Sequence, residues 1–151
     1  MKSPLELERY FVSDQAVTAR NVFSSEKEIE TLIEEYSVSN EAIRLPAVKD
    51  HPEKWQVTVH IKHQPSPDTN FPYDFRLTIV GIFRCTTEKA EPSHIERLMK
   101  INGSSILYGM AREIIRANTE RGPWSGIVIP TYSFYEPKPN NETPPKESTT
   151  V

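Results

Sequence analysis

The sequence predicts an α+β fold, one sheet with two or three helices, and three observations carry it. Two segments alternate apolar and polar residues with a period of two, at 55–62 and from about 73 to 85. A third, from about Pro4 to Val12, does so more weakly. Three stretches carry apolar residues at helical spacing, at 25–36, 93–102 and 104–121.

In the first strand Leu5, Leu7 and Phe11 alternate with Glu6 and Glu8. Gln15–Phe23 reads as its antiparallel return or as an extended connector. Ser25-Glu26-Lys27-Glu28 has the form of a capping box, and Ile29, Leu32, Ile33 and Tyr36 follow on one helical stripe opposite an acidic face. That spacing predicts an amphipathic helix over 25–36. Val38–Pro52 reads as irregular, broken by Pro46 and Pro52. Trp55, Val57, Val59 and Ile61 alternate with Gln56, Thr58, His60 and Lys62, the clearest strand in the chain. After a loop rich in proline, Phe75, Leu77 and Ile79 alternate with Asp74, Arg76 and Thr78. Val80 and Ile82 interrupt that alternation around Gly81, which predicts a bulge there.

Ser93-His94-Ile95-Glu96 is a second capping-box pattern after Pro92, and Asn102-Gly103 predicts the end of that helix. Ile106, Leu107, Met110, Ala111, Ile114 and Ile115 form a wide stripe on the next helix, which Arg121, Gly122 and Pro123 terminate. Gly109 inside it costs about 1 kcal/mol relative to alanine, so a bend or a close backbone contact is expected there. Ile127–Tyr135 is apolar and extended, but Pro130 bars it from a central strand. The chain divides into a domain over 1–136 and a proline-rich tail over 137–151, too poor in apolar residues to offset its ordering entropy.

Composition narrows the function. The chain has 151 residues, 18 Lys and Arg against 21 Asp and Glu, and a formal charge of −3. No basic excess exists to displace phosphate counterions, so no nucleic-acid partner is expected. One cysteine, Cys85, rules out a disulfide within the chain. The N-terminus lacks an uninterrupted apolar core, and no run reaches the ~18 residues of a membrane span, so a cytoplasmic protein without membrane contact is expected. His60 and His63 lie three apart on a strand and point to opposite faces. No metal-binding, phosphate-cradling or nucleophile-elbow pattern occurs, and no catalytic residue, metal or cofactor is expected. What stands out is surplus apolar surface. Tyr10, Val12, Tyr36, Trp124, Val128, Tyr132, Phe134 and Tyr135 are too many for one small domain to cover, which points to binding of another chain.

The run Ser105–Glu113, SILYGMARE, resembles the helix opening of the SecB protein-export chaperones, with Gly109 where that family commonly has proline. Thr119-Glu-Arg-Gly122 followed by Trp124, Ile129, Pro130 and Phe134 is similar to the family's pattern after that helix. Gly81-Ile82-Phe83 resembles the end of its last strand. The resemblance covers about 4–136, and its specific part is 81–134. It implies a four-stranded antiparallel sheet with helices packed on one face. It implies a homo-oligomer, a dimer of dimers, with Ile106, Leu107, Met110, Ile114 and Ile115 at the interface. The implied function is an ATP-independent holdase for unfolded or pre-secretory polypeptides. Tyr10, Val12, Tyr36, Trp124, Val128, Tyr132 and Phe134 are then the client-binding residues, and the SecA motor is a candidate partner. The sequence departs from the family in three places. The helical pattern of 25–36 falls where extended or irregular chain is expected. The tail does not resemble a ligand for SecA's zinc domain. The outward sheet face carries His60, Lys62, Arg76 and Arg84 with Asp74, where the family uses acidic residues to dock on SecA. A chaperone dedicated to one partner, such as an antitoxin, is the alternative; a small-molecule enzyme or ligand-binding protein on the same scaffold is a third.

Overall fold

Valine and isoleucine on alternate positions of the third strand are what build the core. Val57, Val59 and Ile61 point to one side and are buried, while His60 and Lys62 stay exposed on the other. A computed structural model describes residues 3–86 and 90–136; the proline-rich segment 137–151 lies outside them. Four strands, β1 (Leu5–Ala19), β2 (Tyr36–Arg44), β3 (Lys54–His63) and β4 (Tyr73–Cys85), form one antiparallel sheet in the order β1-β4-β3-β2. Helices α1 (Pro92–Leu98) and α2 (Ser104–Glu120) pack on one face. Between sheet and helices lie Val57, Ile61, Leu77, Ile79, Phe83, Met99, Leu107, Ala111 and Ile115, all nearly inaccessible.

Six local expectations change. The strand that begins at Leu5 does not turn back near Gln15; it continues to Ala19 along β4. The bulge falls in β1, not at Gly81. The β1–β4 register skips at Glu8 and again at Ser13, while β3 and β4 pair without interruption. Edge strands bulge most readily because only one neighbour constrains them. The first skip changes which side chains face the helices. Leu5 and Leu7 do, and beyond the skip Tyr10 and Val12 do, opposite Gly81 and Ile79, so that Phe11 moves to the outer face. Gly81 itself answers to packing. A Cβ there would stand 2.8 Å from both Leu107 Cδ2 and Phe83 Cε2, so glycine is what lets α2 approach the sheet.

The region 38–52 is not irregular throughout, since β2 occupies Tyr36–Arg44. The break expected at Asn102-Gly103 does not occur either. Gly103 is right-handed helical at φ −59°, and a single π-helical turn, Met99–Gly103, joins α1 to α2. Such a turn frees carbonyls from the regular ladder. Here Asn40 of β2 donates to the Lys100 carbonyl at 3.0 Å, and Ser105 Oγ donates to that of Ile101 at 2.7 Å. A Cβ on Gly103 would stand 3.1 Å from Val57, a tight contact that any side chain there would relieve only by shifting its neighbour. Gly109, by contrast, faces open space inside the continuous helix α2, so the close contact expected there does not occur.

The largest correction is over 25–36. No α-helix forms there: a turn over 24–27, with the Lys27 N–H on the Ser24 carbonyl, leads into irregular chain that ends in a 3-10 turn at Ile33–Glu35, and Tyr36 already belongs to β2. Asn70, in the β3–β4 loop, takes the backbone groups a helix would have used. Its side chain accepts the Ser24 N–H at 2.9 Å and donates to the carbonyls of Ser24 and Glu28, each at 3.0 Å. Its own carbonyl accepts the Glu30 N–H at 2.9 Å. The segment thus becomes a strap across the loop, with Ile29, Leu32 and Ile33 left on the surface. Glu35 closes it by accepting the Ser66 N–H at 3.0 Å and the Thr69 hydroxyl at 2.9 Å.

His63, the last residue of β3, is fully buried beside that closure. Phe71 meets it edge-on at 4.4 Å, and Phe75 and Tyr36 flank it. Neither ring nitrogen has a partner among the described residues. Burial holds its pKa below the usual 6.5; the charges of Glu35 and Asp74 pull it up, and Arg20 pushes it down. The unfolded chain therefore takes up a proton before the folded one does. The stability His63 contributes is complete above about pH 6.5 and is lost as pH falls from there toward its lowered folded value. Glu35, held below 4.5 chiefly by the Ser66 N–H, adds to the loss only at lower pH. Thermal melting should therefore fall between about pH 7 and 5 in the native chain and much less in His63→Leu. Equal slopes for the two proteins would remove His63 from this role.

Candidate functional site

After α2 ends, the chain runs back along the helix. Tyr73 turns it: its hydroxyl donates to the Thr119 carbonyl at 3.0 Å and accepts the Trp124 N–H at 3.1 Å. A Cβ on Gly122 would collide with that hydroxyl, so this glycine serves close approach. Residues 125–136 run without regular secondary structure and pair with no strand among the described residues. Ile127, Ile129 and Phe134 are buried against the core, while Val128, Tyr132 and Tyr135 remain exposed. The segment's backbone is held by side chains of the helices. Thr119 Oγ1 accepts the Ile127 N–H at 3.0 Å, and Arg112 Nε donates to the Ile129 carbonyl at 3.1 Å. Tyr108 donates to the Pro130 carbonyl, and Arg97 to that of Glu136 at 2.9 Å.

Tyr108 links this segment to the sheet edge. Its hydroxyl lies 3.3 Å from that of Tyr36 on β2, and its ring packs against Tyr132 and Phe134 at 5.9 and 5.8 Å. Burial raises the pKa of both phenols, so each stays a neutral donor. At the other end Trp124 meets Phe23 edge-on at 5.1 Å, beside a groove that Ile29 and Lys27 also line.

The seven residues singled out for client binding thus fall in three places. Tyr36, Val128, Tyr132 and Phe134 lie along or on the returning segment, Trp124 lies at its start, and Tyr10 and Val12 lie on the β1 edge. Phe134 is 7% exposed, so it is an anchor of the segment and offers nothing to a partner while seated. Of the five residues assigned to an oligomer interface, Leu107 and Ile115 are buried in the chain's own core. Ile106 is 42% exposed, and Met110 and Ile114 are half-buried. Sequence reasoning missed Phe11, Ile29, Leu32, Ile33 and Ile43 as surface residues. The first was hidden by the β1 bulge, the next three by the false helix, and Ile43 by the unrecognised β2. Ile43 and Phe11 join Ile82 and Val80 on the outer sheet face, which carries no helix among the described residues. Around them run ion pairs, Arg84–Glu6 at 2.7 Å, Lys54–Glu8 at 2.9 Å and Arg76–Asp14 at 2.8 Å. His60 is on this face and His63 on the helix side, as their spacing requires. Among the described residues no helix is long and apolar enough to cross a membrane.

Comparison with solved structures places this fold. The SecB-like chaperone Rv1957 of Mycobacterium tuberculosis, in complex with a ChAD peptide from the Rv1956 HigA1 antitoxin, is similar with a TM-score of 0.55. It is 12% identical, over 85% of this chain and 91% of that one. A protein of unknown function from Streptococcus agalactiae is similar with a TM-score of 0.53 and 13% identity, over 84% of this chain and 97% of that one. No protein-family model and no curated protein sequence matches the chain. The fold is therefore SecB-like, α+β with a four-stranded antiparallel sheet.

Proposed function

We propose that this chain, with its SecB-like fold, is a cytoplasmic chaperone that holds unfolded or precursor polypeptides without ATP and makes or breaks no bonds itself. One observation carries the reading: large apolar side chains stay on the surface at both sheet edges and along α2, among them Tyr10, Ile33, Ile106, Val128 and Tyr132. Apolar surface of this extent suits a binder of exposed apolar segments. Many weak contacts along one long client then add up through effective concentration.

The same surplus supports a homo-oligomer, a dimer of dimers. β1 is an edge strand of 15 residues whose outer backbone groups have no partner strand among the described residues. Such an edge invites pairing with a second copy. The open face of α2 carries exposed Ile106, half-buried Met110 and Gly109 facing open space, which gives a second helix apolar surface to cover. SecA remains a candidate partner through the outer sheet face, where cations now share the surface with carboxylates.

The test is suppression of aggregation. Mixed at near-equal molar ratio with a protein diluted from denaturant, the purified chain should keep light scattering low without nucleotide. No suppression across several unrelated clients would reject a general holdase. A second reading, a chaperone dedicated to one partner, is favoured by the similar Mycobacterium tuberculosis protein, whose structure holds an antitoxin peptide. Capture of one partner and of no generic client would select it.

A further inference from the structure

The returning segment is bound in the way a foreign peptide would be. Its hydrogen bonds to α1 and α2 all go to its main chain. Thr119 takes the Ile127 N–H, and Arg112, Tyr108 and Arg97 supply donors to the carbonyls of Ile129, Pro130 and Glu136. Main-chain groups are common to every polypeptide, so such a track holds an extended chain whatever its sequence. Selectivity then comes from three buried side chains, Ile127, Ile129 and Phe134. Proline fits at 130 because only its carbonyl is used.

We infer that this track along α2 is a polypeptide-binding site and that residues 126–136 are its built-in occupant, which a client displaces. The inference rests on the proposed holding of polypeptides and adds where and against what competition it occurs. The ligand class is an extended segment with aliphatic residues two apart and an aromatic residue five further on. A tethered occupant competes at high effective concentration, so the native chain binds clients less tightly than its bare track would. Displacement also releases Tyr132 and Phe134, the aromatic pair packed at 4.8 Å.

The test uses the full chain and a reduced, alkylated protein that stays unfolded. Ile129→Ser with Phe134→Ser weakens the occupant and leaves the donors of α2 in place. It should bind that probe at least about tenfold more tightly than the native chain. In the native chain, amide exchange over 127–136 should quicken when the probe saturates it; this measurement stands even where the double variant folds poorly. Probe binding to the native chain with exchange over 127–136 unchanged would place clients elsewhere and overturn the inference, leaving the chaperone reading intact. Failure of both proteins to bind any unfolded probe would reject the chaperone reading itself.

Discussion

Replacing Arg20 with methionine should lower folding stability by about 3–5 kcal/mol, read as a shift in the urea midpoint at unchanged slope. The guanidinium is buried, with 6% of its side chain exposed, and it serves four carbonyls of one loop. It donates to Thr69 at 2.8 Å, Phe71 at 3.1 Å, Ser66 at 2.7 Å and Pro65 at 3.4 Å. Asp74, 3.7 Å away, supplies partial charge balance. Methionine fills similar volume and removes every donor, so several carbonyls are left in a space water reaches poorly. Lysine should rescue only part of the loss, because a compact ammonium lacks the planar fork that reaches four acceptors. The damage would spread, since this loop carries Asn70 and the strap it holds. Amide exchange over 24–30 should rise before global unfolding. A loss below about 1 kcal/mol would mean that the loop holds its shape without Arg20.

The same loop explains where sequence reasoning succeeded and where it stopped. β3 and most of β4 were legible because a strand buried on one face must alternate, and Trp55 to Lys62 does so without exception. β2 was not. Its helix-facing residues after Tyr36 are Val38, Asn40 and Ala42, and an asparagine there looks like a break. Asn40 is in fact satisfied by the Lys100 carbonyl and Ser104 Oγ, on an element about sixty residues away that no local pattern reveals. The false helix over 25–36 has the same cause. Its capping box and apolar stripe are real local signals, but Asn70 binds the backbone and wins. The client-binding residues were found by size and by their place in irregular segments or on a strand's minor face, so exposed Tyr132 and buried Phe134 were named together. What separates them is the hydrogen bonding by Tyr108 and Arg112, which fixes how the returning segment is seated.

Two charge insertions on one helix should have opposite consequences. Ile115→Glu should remove more than about 4 kcal/mol and leave little folded protein, because Ile115 is 1% exposed within the apolar core and a carboxylate there would lose its water. Ile106→Glu should change the stability of the isolated fold by less than about 0.5 kcal/mol, since a glutamate at that exposed position keeps its water. If α2 meets a second copy, however, the same glutamate becomes an unpaired charge in an apolar interface, and the mass by light scattering should drop. The pair divides a stripe that looks uniform in sequence. Ile106, Leu107, Met110, Ile114 and Ile115 span more of the helix circumference than one sheet can cover, so part of the stripe faces β3 and β4 and part faces outward. Urea unfolding of both variants with light scattering of Ile106→Glu separates the two parts. An unchanged mass for that variant, from a native chain that is oligomeric, would move the contact from α2 to the unpaired edge of β1.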